Sequence, residues 1–145
     1  MPEQKTIQRA REDAREGKSP STQAGEFVRE EIHHIREGRH GARSAKQAIA
    51  IGLSKARRAG VKLGKPKGSA ALRKKAAQDE KASKSPRRRT SGARSRATKA
   101  ALKREPRSSA SKSALSRQTK SVAAKRGKNA RSAAPTRTAR TRKAA

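Results

Sequence analysis

Apolar positions in the first half of the chain recur at helical spacing. Ala24, Phe27, Val28, Ile32 and Ile35 fall on one stripe at 3.6 residues per turn. This predicts a helix that begins at Ser19-Pro20 or Ser21-Thr22 and stops at Gly38. Glu31 falls inside the stripe and argues against tight packing there. Ala45, Ala48, Ile49, Leu53 and Ala56 define a second stripe and predict a helix over 45–59. Ser44 and Gln47 have the S-x-x-Q spacing of a capping box, in which each side chain satisfies the other's free backbone N–H. Gly60 suits a left-handed end with Val61 folding back. Ahead of both, Glu3 to Glu16 is rich in helix formers, with Pro2 at a first helical position and Gly17 as the stop. Its apolar face is only Ile7, Ala10 and Ala14, which predicts a frayed helix.

Past residue 64 the pattern changes. The only bulky aliphatic residues are Leu72, Leu102, Leu115 and Val122, and no hydrophobic period survives. Gly64-Lys65-Pro66-Lys67-Gly68 marks the boundary, since no helix or strand is expected to cross it. The expected organisation is therefore a small head, residues 1–64, and a low-complexity tail, residues 65–145. The fold class is mostly α: two or three short helices in the head, then a tail that is disordered when free and conditionally helical. Ala-rich stretches 70–83, 92–104 and 110–126 are the ones expected to become helical once phosphates neutralise them. Pro66, Pro86, Pro106 and Pro135 forbid one long helix. About ten bulky residues make a small core, so the head is expected to be marginal alone and to gain order from a partner, self-association or DNA.

Charge sharpens this division. The chain of 145 residues carries 41 Lys+Arg against 11 Asp+Glu, a formal net charge of +30. Residues 1–37 are net −1, residues 38–64 net +7 and residues 65–145 net +24, the acids of the last segment being Asp79, Glu80 and Glu105. With 30% apolar residues, mostly alanine, the composition excludes a globular enzyme. There is no cysteine, hence no disulfide framework and no thiolate metal site. No apolar run suggests a secretory signal or a membrane span, so neither export nor membrane insertion is expected. A polycation of this kind pairs with polyanions.

The segment from Ser44 to Gly60, SAKQAIAIGLSKARRAG, together with Glu26-Phe27-Val28 through Gly41, resembles a small bacterial domain of unknown function. That domain occurs in short basic proteins often labelled DNA-binding or histone-like, and the resemblance covers roughly residues 1–64. It implies a cytoplasmic, nucleoid-associated bacterial protein, and supplies no catalytic residue and no defined DNA contact. The tail is similar in composition to bacterial histone H1-like tails.

Duplex DNA carries one charge per roughly 1.7 Å, and each neutralised phosphate releases counterions. The expected contacts are therefore Lys and Arg side chains. On the helix over 45–59, Lys46 and Arg57 flank the apolar stripe on one side and Lys55 on the other, Arg58 projects nearly opposite, and Lys62 follows. The tail adds Arg73, Lys74 and Lys75, then Arg87, Arg88 and Arg89, Arg94 with Arg96, and Lys103 with Arg104. Lys125, Arg126 and Lys128 lead into Arg131, Arg137, Arg140, Arg142 and Lys143. Ser85-Pro86-Arg87-Arg88 has the S-P-basic-basic form of histone tails, in which a turn can aim two guanidinium groups at a narrow minor groove.

Other chemistry is thinly represented. His33, His34 and His40, with Glu30, Glu31 and Glu37, suggest a metal site. Glu30 with His34 and His33 with Glu37 have i,i+4 spacing, but H-E-x-x-H is absent, and such pairs commonly serve as surface ion pairs. No metal site and no cofactor are expected. Phe27 is the one aromatic, so there is no platform on which bases stack. The function expected is nonspecific binding and compaction of DNA through its phosphates. The rivals are an RNA- or ribosome-associated basic protein, and a protein-interaction adaptor anchored by its polycationic tail.

Overall fold

The computed structural model describes residues 2–84 and 91–126, and these are helical with no strand. Helices α1 (Gln4–Arg15), α2 (Pro20–Arg36) and α3 (Ala45–Arg58) are followed by α4 (Ala70–Ser83) and α5 (Gly92–Arg104). A 3-10 turn (Arg107–Ala110) then leads into α6 (Lys112–Lys125). Serine side chains start most of them. Ser19, Ser44, Ser69 and Ser111 each accept a backbone N–H from three residues on, at 3.2–3.4 Å. Proline at the first position of α2 suits an end whose N–H has no helical partner.

The capping box on α3 forms with one change. Gln47 Oε1 accepts from Arg43 N at 2.8 Å, one residue before the expected Ser44. At the other end Gly60 takes φ +98°, with Gly60 N bonded to Arg57 O and Val61 N to Ala56 O. That is the paired bonding of a glycine-terminated helix, and it turns Val61 back onto the core. In α1, Pro2 lies outside the helix because extended Glu3 is the N-cap.

Helix α2 is the spine. Phe27, Ala24, Ala10, Ala56 and Val61 form one apolar cluster, edged by Ile7, Leu53 and Leu63. Ile35, Ala42, Ala48 and Ala110 form a second, edged by Ile32. Between them, on the intervening turn of α2, lie the buried carboxylates Glu30 and Glu31. Helix α3 packs against α2 through Ala45, Ala48, Gly52 and Ala56, while Ile49 and Leu53 are only partly buried. Gly52 permits the close approach, since a Cβ there would lie 2.7 Å from Val28 Cα. Helix α1 is docked rather than frayed, burying Thr6 and Ala10.

The helical body is larger than two or three helices. The stretches 70–83, 92–104 and 112–125 are helical, so helices continue well past the two or three expected of the head. Helix α4 lies along α3 and buries Ala76 and Asp79. Gly41 N bonds Leu102 O at 2.8 Å and Ala42 N bonds Pro106 O at 3.2 Å. Arg36 Nε donates to Ala110 O at 2.9 Å. Residues from both sides of the Gly64–Gly68 stretch thus share one core, a long-range pairing that leaves no periodic trace in the sequence. Pro86, Pro135, the Ser85–Arg88 motif and residues 127–145 lie outside the described residues.

Candidate nucleic-acid interface

The acidic residues of the described chain are mostly engaged within the fold. Glu26 pairs with Arg29 at 3.1 Å, Glu37 with Arg39 at 2.9 Å, and Glu105 with Arg43 at 3.8 Å. Asp13 and Glu16 both hold Lys18, and these two contacts, Asp13 first, raise its pKa well above the ordinary lysine value. Glu3 accepts from His34 and from Arg39, which holds its carboxyl below the usual range. Asp79 Oδ1 accepts from Arg58 and Lys75, and Oδ2 from Ser54.

The cations expected to meet phosphate divide into three groups. Lys46, Lys62, Arg73, Lys74, Arg94, Arg96, Lys103, Arg104, Lys125 and Arg126 are exposed, and Arg57 is half-buried. Among the described residues none of these eleven has an ion-pair partner. Arg58 and Lys75 are more than half exposed but share Asp79. Lys55 is different in kind and does not belong to the basic surface. Its Nζ lies 2.7 Å from Glu31 Oε2 and 3.3 Å from Glu30 Oε1, because α3 packs it over the carboxylates of α2. Arg87, Arg88, Arg89, Lys128, Arg131, Arg137, Arg140, Arg142 and Lys143 lie outside the described residues.

The N-terminal ends of α3 and α6 open on one cleft of about 550 Å³. Ser44, Ser108, Ser109, Ser111 and Ser113 line it, with Arg43 and Arg117. Helix N-termini carry partial positive charge, so the cleft is chemically suited to an anionic oxygen. Sequence reasoning passed over Arg43 and Arg117. The available signal was a serine cap with an arginine near it in sequence, Arg43 one residue before Ser44 and Arg117 six residues after Ser111.

The second feature is a histidine–glutamate cluster whose members sequence reasoning weighs as a metal site and sets aside. Glu31, His34 and His40 each place one donor atom within 4.8 Å of the others. Glu31 and His34 share a face of α2, and His40 returns over that face from the turn after it. Spacing E-x-x-H-x5-H was the only trace of this in the sequence.

Residues 18–67 match a family of unknown function, DUF6496. The matched segment contains α2, α3 and most of the linker that follows, including Glu31, His34, His40 and Lys55. Helix α1 lies ahead of it, so the match begins later than the resemblance over residues 1–64 implied. Helices α4–α6 lie beyond it. No curated protein and no solved structure matches the chain. No helix among the described residues is long and apolar enough to cross a membrane.

Proposed function

We propose that the protein binds and compacts DNA without sequence preference, at the bacterial nucleoid, by neutralising phosphates with lysine and arginine. One observation carries this reading: the carboxylates of the folded body are largely engaged by internal partners, while cations from α3 through α6 stand exposed. Among the described residues the excess cations are therefore largely exposed rather than balanced within the fold. Phosphate contacts of this sort position a protein on a duplex and read no bases. The DUF6496 segment contributes a helical body, and the residues beyond it contribute most of the charge. The cleft between α3 and α6 offers a discrete seat for one phosphate within that surface.

The test is binding of the full chain to duplex DNA and to structured RNA of equal length, followed by fluorescence anisotropy. Random and A·T-rich duplexes should differ by less than about tenfold. RNA bound much more tightly than either duplex would replace this reading with the RNA- or ribosome-associated one.

A further inference from the structure

We propose that Glu31, His34 and His40 form a binding site for one divalent transition-metal ion of the Zn²⁺ type. The donor atoms already lie within 4.8 Å of one another. His40 Nε2 and Glu31 Oε1 are 3.4 Å apart, about the edge of a tetrahedron built on metal–ligand bonds of roughly 2.0–2.1 Å. The two rings stand edge to face, at an interplanar angle of 80°.

Glu31 is the observation that asks for a cation. It is 1% exposed, and neither carboxylate oxygen has a hydrogen-bond partner. Lys55 Nζ lies close to Oε2 but off the hydrogen-bonding direction, and Oε1 faces His40. Lys55 supplies positive charge at Oε2, while Oε1 is buried with no donor, which is unfavourable for a carboxylate oxygen. Glu30, by contrast, is satisfied by Glu3 N and Lys55.

Both rings are oriented for ligation. His40 Nδ1 lies 3.1 Å from Gly41 O, and a carbonyl only accepts, so Nδ1 carries a proton and Nε2 is the nitrogen that faces Glu31 Oε1. His34 Nε2 lies 3.0 Å from both Glu3 Oε1 and Arg39 Nη1, which leaves Nδ1, 4.0 Å from Glu30 Oε1, as the ring nitrogen with no hydrogen bond. Charge agrees: Glu30 and Glu31 contribute two negative charges and Lys55 one positive.

A bound ion would tie α2 to the turn bearing His40, and the next two residues, Gly41 and Ala42, donate their N–H groups to Leu102 O and Pro106 O. Metal binding thereby reaches the docking of α5. It stands independently of the DNA-binding proposal.

The experiment uses the full chain, stripped of nucleic acid at high salt and held near pH 8, where histidine is neutral. Zn²⁺ is titrated calorimetrically and Co²⁺ by its visible absorption. One equivalent should bind, with the Co²⁺ bands of a four-coordinate site and a rise in melting temperature on adding Zn²⁺. Glu31→Gln and His40→Ala should each weaken binding roughly 100-fold. His33→Ala, on the exposed ring paired with Glu37, should leave it unchanged. Far-UV circular dichroism checks folding, and His40→Ala, outside any helix, serves if Glu31→Gln does not fold. Absence of one-to-one binding, or binding lost in His33→Ala and kept in His40→Ala, would overturn the site.

Discussion

Arg58 Nε donates to Asp79 Oδ1 at 2.8 Å, joining the end of α3 to α4 across the Gly64–Gly68 linker. Lys75 Nζ donates to the same oxygen at 3.1 Å, and Ser54 Oγ to Oδ2 at 2.6 Å. The carboxylate is 3% exposed while Arg58 and Lys75 are more than half exposed, so Asp79 is the buried hub of the contact. Replacing it frees two cations that water can solvate and removes the anchor of α4. Asp79→Ala should cost about 1–3 kcal/mol, confined to that helix. Amide hydrogen exchange is the measurement: α4 should lose protection while α2 and α3 keep theirs.

The same carboxylate sets an acid limit. Burial pushes the Asp79 carboxyl up, and the hydrogen bonds from Ser54, Arg58 and Lys75 more than reverse that push, leaving it below its ordinary value of 3.8. A depressed carboxyl stabilises the folded state above its ordinary value and loses that contribution as pH falls through the folded value. The docking of α4 should therefore persist down to about pH 3.8 and weaken below it. Asp79→Asn should lack this acid transition and converge with the unaltered chain at the lowest pH, as followed by exchange or circular dichroism.

Lys46 and Lys55 sit on the same helix and should behave in opposite ways. Lys55→Gln leaves Glu30 and Glu31 buried without their cation, so melting should show a loss of roughly 3 kcal/mol. Lys46→Gln should leave melting nearly unchanged and lower the salt slope of DNA binding by at most about 0.9, one phosphate contact. A stable Lys55→Gln protein would contradict the role given to the buried pair.

Local signals were legible in the sequence and long-range partners were not. Ser19, Ser44 and Gly60 fixed the limits of α2 and α3 because caps act within a few residues of themselves. Alanine content outlined α4, α5 and α6 for the same reason, since propensity is local. Glu31 looked like a flaw in an apolar stripe because Lys55 and His40, which surround it, lie far along the chain. Gly52 and Gly41 carry no side-chain signal, yet the backbones of Val28 and Glu105 press against them. The weak α1 stripe became a docked helix through contacts that periodicity does not count.

Gly52 supplies a direct check on that packing. A methyl group there meets the Val28 backbone, which cannot swing aside as a side chain can. Gly52→Ala should therefore destabilise by about 1–3 kcal/mol despite alanine's better helix propensity. Thermal melting decides it, and a variant of raised melting temperature would show that α2 and α3 are not this close.

The central claim, outward-facing cations acting on phosphates, is tested most directly by the salt dependence of DNA affinity. The full chain is titrated into a fluorescent duplex at several salt concentrations, and log K is plotted against log salt. Engagement of about half the cations beyond residue 64 predicts a slope near −10, equal for random and A·T-rich duplexes. A slope of about −2 or shallower, or one duplex sequence preferred by roughly a thousandfold at every salt concentration, would contradict it.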